Sequence, residues 1–475
     1  MPPDRELLER LTQHGQEHLL RWWSELDEGQ QVRLAREVEA LDLDQLDQLV
    51  AKMLKGDSGD EPAAWDKVEP IEVFRLPKTD GERVARRHIT EVGNAALAAG
   101  EVGVILVAGG SGTRLGFEGP KGTYPIGPVS GASLFQIHAE KIVALGRRHG
   151  KTVPLYVMTS PENNDTTVAF FAENKNFGLE HVRFFVQGQM PAIDRETGKV
   201  LLADKGRLAL SPDGHGGTLA ALAVPGLDGK PSCLDEMREL GVRTLFYFQV
   251  DNPMVKIADP AFIGLHRQAD AEMSFKVIEK LTPDEKVGLV VRVDGKPQVI
   301  EYSDLPSELA ERREPEGTLQ LWAGSIAVHI IERGFIERLL EGLRLPFHRA
   351  VKKVPYVDES GNFVSPKEPN AIKFERFIFD ALPMAENSTM VETDRAIEFE
   401  PLKNATGSDS PESVRKRMTE LYANWLERAG AVVNRLPDGS VPFGIEISPL
   451  LALDAEELKH KLEPGLVVDK ATYLR

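Results

Sequence analysis

Cysteine is almost absent: Cys233 is the only one in 475 residues. One thiol forms no intrachain disulfide and cannot build a zinc site from several thiolates. No apolar run approaches the roughly 20 residues that cross a bilayer. Met1 to Arg10 is polar, without the apolar stretch of a secretion signal. These absences point to a soluble, cytoplasmic protein. Basic charge is also scarce. Lys and Arg number 57 against 74 Asp and Glu, a net charge of -17. That argues against nucleic-acid or anionic-membrane partners, which need a broad basic surface. A nucleotide pocket is still allowed, because it needs only a few well-placed cations. There is no internal repeat and no long low-complexity tract.

What is present suits a globular enzyme: 41% hydrophobic residues, 28% charged and 7% aromatic. The length predicts a large catalytic domain with smaller additions. Apolar residues recur at helical spacing from residue 5 to about 55 (Leu7, Leu8, Leu11, then Leu19, Leu20, Trp22, Trp23, Leu26). Gly56 to Glu61 is turn-rich and reads as a linker. From about residue 95 strands and helices alternate, which implies an α/β sheet with mostly parallel strands. Val102 to Val107, Val153 to Met158 and Thr244 to Val250 read as buried strands. Ser133 to Leu145 reads as a helix with a Ser133–Gln136 capping box and Gly146 at its C-cap. Gly288 to Val293 and Gln298 to Tyr302 flank Asp294-Gly295 as a hairpin. The expected organisation is a helical region over 1–95, a catalytic domain over 96–399 and a small C-terminal domain over 400–475.

The strongest signal directly follows the first strand: Val107-Ala108-Gly109-Gly110-Ser111-Gly112-Thr113-Arg114-Leu115-Gly116, with Gly119-Pro120-Lys121 beyond. Glycines let backbone N–H groups approach a phosphate chain, and Arg114 and Lys121 add cations. Gly110, Gly112 and Gly116 do not match the dinucleotide spacing G-x-G-x-x-G, and no Walker A string occurs. A tight strand–helix turn without a ligand is the alternative, disfavoured by four glycines and two cations together. Asp251 closes an apolar strand, where a carboxylate suits a hard cation bridging phosphates, or an Asx-turn before Pro253.

This segment resembles the sugar-nucleotide pyrophosphorylases, and in particular the UDP-N-acetylhexosamine pyrophosphorylase branch of the UDP-sugar pyrophosphorylase family. The resemblance runs across nearly the whole chain. It includes Phe184 to Ala192, Pro212-Asp213-Gly214-His215-Gly216-Gly217, Val250-Asp251-Asn252, Glu301-Tyr302-Ser303, Pro369 to Lys373, Pro401 to Ala405 and Glu446 to Leu450. It implies a Rossmann-like, GT-A-like nucleotidyltransferase core that joins UTP to a hexose-1-phosphate with Mg²⁺, giving a UDP-sugar and pyrophosphate. By resemblance Val107, Ala108, Gly109 and Gly110 lie along the nucleotide, and Arg114 and Lys121 on its phosphates. Gln187 and Gly214 contact the uracil and ribose, and Asp251 holds Mg²⁺. Lys373, expected in the first turn of a helix, and Lys403 meet phosphate. Glu301 and Tyr302 face the sugar.

The sequence departs from that branch at the sugar end. His215, Trp322 and Ser325 stand where it carries asparagines. His215 lies in a Gly-His-Gly string usual in the UDP-glucose pyrophosphorylases. The three changes imply that glucose-1-phosphate is used at least as well as N-acetylglucosamine-1-phosphate. An NAD-binding oxidoreductase is disfavoured by the glycine spacing and by the lack of an acidic residue closing a short βαβ unit. A non-catalytic scaffold is disfavoured by Arg114, Lys121, Asp251, Lys373 and Lys403 occurring together.

Overall fold

The computed structural model describes residues 3–54, 65–226, 229–342 and 345–475. The linker expected at Gly56 to Glu61 lies outside them. The chain packs as two units whose segments interleave along the sequence. One comprises residues 1–66, 187–218 and 345–380, and the other 67–186, 219–344 and 381–475. The linear division at 95 and 400 therefore does not follow the packing. Residues beyond 400 share the core of the larger unit through Leu402, Val414, Met418, Ala423 and Leu426.

The larger unit is built on a ten-stranded sheet. Its strands are β1 (Val68–Pro70), β2 (Val102–Val107), β3 (Leu155–Thr159), β4 (Val182–Val186), β5 (Thr244–Gln249), β6 (Met273–Glu279), β7 (Leu289–Val293), β8 (Lys296–Ile300), β9 (Ala323–Glu332) and β10 (Ser388–Glu392). The main order is β1-β7-β9-β5-β2-β3-β4, with β6 on β9, β10 on β6 and β8 on β7. The central block β5-β2-β3-β4 is parallel. Antiparallel pairing begins where β9 joins β5, so the sheet is mixed around a parallel centre. Strands β2, β3 and β5 are nearly continuous apolar runs because both faces are covered.

The helix Leu134–His149 crosses from β2 to β3 and buries Leu134, Phe135, Ile137, Ile142 and Leu145. Ser133 caps it by accepting from the Gln136 N–H at 3.1 Å. The Gln136 side chain turns instead to Glu140 at 2.9 Å, so only half of the expected capping box forms. The helix also continues past Gly146 and ends at Gly150, which takes the left-handed conformation (φ 66°). Asp294 and Gly295 both have positive φ (50° and 80°), as a two-residue hairpin between β7 and β8 requires.

The smaller unit gathers the helices Arg5–Gln13, Glu28–Glu39 and Leu43–Leu54. They pack on a three-stranded sheet of His348–Lys352, Ala371–Glu375 and Ile193–Asp194. Its core includes Leu11, Leu34, Val38, Ile193, Ile372 and Phe374. Lys373 therefore sits on a strand, opposite Ala350, and not in a helix. The period-2 placement of Ile372 and Phe374 into one core prevails over any helical tendency, and the helix-dipole argument for Lys373 falls away.

Candidate active site

In an α/β sheet, ligands collect beyond the carboxyl ends of the parallel strands. β2 and β5 end side by side there. Val107 pairs with Gln249, and Val250 N–H donates to Val107 O at 3.0 Å. The glycine loop and Asp251 thus leave adjacent strands together. The loop is held at both ends. Ala108 N–H bonds Met158 O at 2.8 Å, and buried Asn163 donates to Ala108 O at 3.0 Å. Gly112 N–H bonds Gly119 O at 2.9 Å, and Lys121 N–H bonds Gly110 O at 3.1 Å. Among the described residues, the intervening amides of Gly109, Gly110 and Ser111 donate to no backbone carbonyl. A side chain at Gly110 would meet open space. Three successive amides without a backbone acceptor are available to an anion.

Lys121 reaches across this edge. Its ammonium donates to Leu402 O at 3.1 Å and stands 3.9 Å from Asp251 Oδ2, with the two side chains 17% and 14% exposed. Leu402 N–H bonds Asp251 O at 2.8 Å, which sets Lys403 next in the chain. Lys403 is half-buried, and its electrostatic partner is Asp409, whose carboxyl burial pushes up. Arg114 is exposed on the turn Thr113–Leu115. The Asx-turn role falls to Asn252, whose side-chain oxygen accepts from Met254 N–H at 3.2 Å, leaving the Asp251 carboxylate to face Lys121.

Among the described residues no cluster of three or more His, Cys, Asp or Glu could hold a metal by itself. Magnesium commonly takes one or two carboxylates plus substrate phosphates. A single half-buried carboxylate beside a lysine and free amides therefore fits a metal that arrives with a triphosphate.

Among the residues of the same unit expected near the sugar, Ser325 donates its N–H to Gly288 O at 2.8 Å. Glu301 Oε1 lies 3.5 Å from where a Gly288 side chain would begin. Tyr302 is 44% exposed. Trp322 is placed differently. Its ring lies 3.9 Å under the Arg75 guanidinium, which is paired with Glu392 at 2.9 Å. Trp322 lies just before β9, whereas Ser325 lies within it.

The smaller unit assembles the other group of expected residues. Gln187 Nε2 donates to Gly214 O at 2.7 Å, leaving the amide oxygen as an acceptor. Gly214 has φ +84°, and a Cβ there would lie 2.3 Å from Arg376 O; one at Gly216 would lie 2.7 Å from the Phe377 carbonyl carbon. Gly216 N–H bonds Arg376 O at 2.8 Å and Arg376 N–H bonds Asp213 O at 2.7 Å, so glycine is needed for this close approach. His215 Nδ1 accepts from Ile378 N–H at 3.2 Å, which places its proton on Nε2 as a donor. Burial, then the neighbouring His348, lowers its pKa to about 4, so the ring is neutral near pH 7.

Two residues escaped the sequence reading, and Asp213 entered it only as part of a motif. Phe377 stacks on His215 with centroids 5.4 Å apart, and Phe379 lies 5.6 Å from it. Their alternation just after Ala371–Glu375 was the available signal. Asp213 is buried beside Gln187 and Arg376, and burial raises its carboxyl pKa. The Glu446–Leu450 motif proves architectural. Glu446 accepts from Val129 N–H, Ser130 N–H and Ser130 Oγ at 2.8, 2.7 and 2.6 Å, pinning the turn that precedes the helix Leu134–His149.

Residues 43–410 match the family model described as UTP–glucose-1-phosphate uridylyltransferase. The chain belongs to this family, the UDP-sugar pyrophosphorylases. It is 39% identical to the UDP-N-acetylhexosamine pyrophosphorylase-like protein 1 of Homo sapiens, over 98% of this chain and 96% of that one. It is 38% identical to the UDP-N-acetylglucosamine pyrophosphorylase of Saccharomyces cerevisiae, covering 84% and 86%. Among solved structures, the uridine diphosphate N-acetylglucosamine pyrophosphorylase of Trypanosoma brucei superposes with TM-score 0.82 at 27% identity, over 100% and 98% of the two chains. The UDP-sugar pyrophosphorylase is thus a nucleotidyltransferase on the N-acetylhexosamine branch, acting on UTP and a sugar-1-phosphate. No helix among its described residues is long and apolar enough to cross a membrane.

Proposed function

We propose that this pyrophosphorylase forms UDP-glucose at least as well as UDP-N-acetylglucosamine, with Mg²⁺ bound through Asp251. A phosphate oxygen of the sugar-1-phosphate attacks the UTP α-phosphorus in line. A new P–O bond forms, the bond to the β-phosphate oxygen breaks, and pyrophosphate leaves with the electron pair. The attacking oxygen is already anionic near neutral pH, so the protein needs no general base; it positions groups and neutralises charge. Val107, Ala108, Gly109 and Gly110 run along the nucleotide. Arg114, Lys121, Lys373 and Lys403 meet phosphate, and Gln187 and Gly214 read uracil and ribose. Magnesium would supply further neutralisation of the phosphate charge. We place the protein in the cytoplasm, a compartment that suits its free, buried Cys233.

The observation that carries the reading is the single edge at which the amides of Gly109 to Ser111, Lys121 and Asp251 emerge from adjacent parallel strands. For the sugar, Ser325 and His215 stand in place of amide side chains that the branch offers, and each still donates a hydrogen bond. The names of the relatives favour the N-acetylated sugar instead. Pyrophosphate release with UTP and each sugar-1-phosphate decides between them. The expected kcat/KM ratio is near one or favours glucose-1-phosphate. A preference for the N-acetylated sugar above about 100-fold, beyond one-methylene discrimination, would overturn it. Asp251→Asn is expected to cut turnover severely in a folded protein; near-normal turnover would remove Asp251 from the mechanism.

A further inference from the structure

Behind Asp251 lies a set of buried charges that the transfer chemistry does not use. Lys276, 1% exposed, donates to Asp259 Oδ2 at 3.0 Å and to the two Glu398 oxygens at 2.9 and 2.6 Å. Thr393 Oγ1 donates to Glu398 Oε1 at 2.6 Å, and Lys256 pairs with Asp259 at 3.1 Å. A buried ion pair adds little net stability over an apolar replacement of the same shape. What this one does supply is a fixed position for Glu398.

From Glu398 a short line of contacts leads to the phosphate-facing groups. Asn252, 5% exposed, donates through Nδ2 to Glu398 O at 2.7 Å. Its Oδ1 accepts from Met254 N–H at 3.2 Å and Glu400 N–H at 3.4 Å. The Asp251 turn and the segment 398–403 are thereby joined through one side chain. The same segment then bonds Asp251 O through Leu402 N–H and takes the Lys121 ammonium on Leu402 O, immediately before Lys403. From the opposite side, His138 bonds Val250 O at 3.0 Å, and Lys141 donates to Pro253 O and Val255 O at 2.5 and 2.9 Å. The turn is clamped by both sets of contacts, and Asn252 is the residue next to Asp251 in the chain.

We propose that Asn252, seated on the backbone carbonyl of Glu398 whose side chain is fixed by buried Lys276, is a positioning residue that holds the Asp251 carboxylate and Lys403 in one frame around the triphosphate. The inference rests on Asp251 binding the metal–triphosphate complex. Outer partners of metal ligands change affinity or activity by about 10–100-fold when removed.

The test titrates UTP by calorimetry with and without Mg²⁺ into the wild-type protein, Asp251→Asn, Asn252→Ala and Asn252→Asp, alongside turnover and thermal melting. Wild type is expected to bind UTP more tightly with Mg²⁺, and Asp251→Asn to lose that gain. Asn252→Ala should match wild type without Mg²⁺, lose about tenfold of the Mg²⁺-dependent gain and fall about tenfold or more in kcat. Asn252→Asp keeps the acceptor for Met254 and Glu400 but not the donor to Glu398. It should show the same split, and it serves if the alanine variant does not fold. Equal weakening of UTP with and without Mg²⁺ would make Asn252 a fold element and overturn the proposal, as would wild-type behaviour in both variants. Failure of wild type and Asp251→Asn to differ would instead overturn the assignment of Asp251, and this inference with it.

Discussion

Lys121→Ala separates catalytic charge from structural charge at the strand edge. The ammonium lies 3.9 Å from Asp251 Oδ2 and is mostly buried. Two unit charges at that distance attract by about 4 kcal/mol at an effective dielectric near 20. In the resting enzyme desolvation of the two mostly buried groups offsets most of this, and Leu402 O helps to compensate the ammonium by accepting from it at 3.1 Å. The pair therefore adds little net stability to the fold. In the proposed mechanism the same ammonium meets a developing pyrophosphate, and deleting one such preorganised contact costs about 2–4 kcal/mol of transition-state stabilisation. That is about 30- to 1,000-fold in rate. The expected result is a fall in kcat of this size, with KM for UTP changed far less and a melting temperature within a few degrees of wild type. Steady-state pyrophosphate release with both substrates varied, together with a thermal melt, measures all three. Turnover kept within about threefold, or a loss that tracks unfolding, would refute the reasoning.

Lys373→Ala is expected to lose turnover on the same scale with little change in melting; a change confined to stability would make this strand lysine structural. UTP should be strongly preferred over ATP, and Gln187→Ala should narrow the preference, since a purine leaves the uracil-reading groups unpaired; equal rates with both nucleotides would end the uracil-reading role. His215 titrates near pH 4 when folded and near 6.5 when unfolded. The unfolded state therefore binds more protons between those values, and stability should fall as pH drops from about 6.5 towards 4. Urea unfolding across that range should show a shallower slope in His215→Asn than in wild type. Gly216→Val should abolish turnover and lower the melting temperature of the protein, because its side chain would begin 2.7 Å from backbone atoms of Phe377.

The parallel centre was legible because β2, β3 and β5 are buried on both faces and read as unbroken apolar runs. The glycine loop was legible for a related reason: it follows such a strand directly, and backbone approach to an anion restricts residue choice tightly. Lys373 was misread because Pro369-Asn370 resembles a helix start, whereas cross-strand pairing with His348–Lys352 comes from a segment some twenty residues away in sequence. The interleaving of residues 1–66, 187–218 and 345–380 into one unit was illegible for the same reason, since no local pattern records which distant segment supplies a missing face. Phe377 and Phe379 look like ordinary core aromatics until their contact with His215 is seen.

At the proposed sugar end, Trp322 and Ser325 have different surroundings: Trp322 precedes β9 and Ser325 lies on it. Trp322 is held by Arg75, and Arg75 by Glu392, which makes its bulk part of that face. Ser325 is different. Its N–H bonds Gly288 O at 2.8 Å, and its hydroxyl accepts from Ala327 N–H at 3.4 Å. Ala327 has φ 55°, a left-handed backbone that costs an alanine about 1–2 kcal/mol. It sits in the bulge where β9 slips against β6 between Phe275 and Val277. Strain of this kind persists where the surrounding structure over-determines it, and bulges re-aim side chains beside active sites. On the proposed sugar-facing role, the amide-to-hydroxyl change at Ser325 falls beside this bend in the strand. Specificity for the C2 substituent should follow Ser325 and His215, while Trp322 should leave the ratio of the two sugars unchanged.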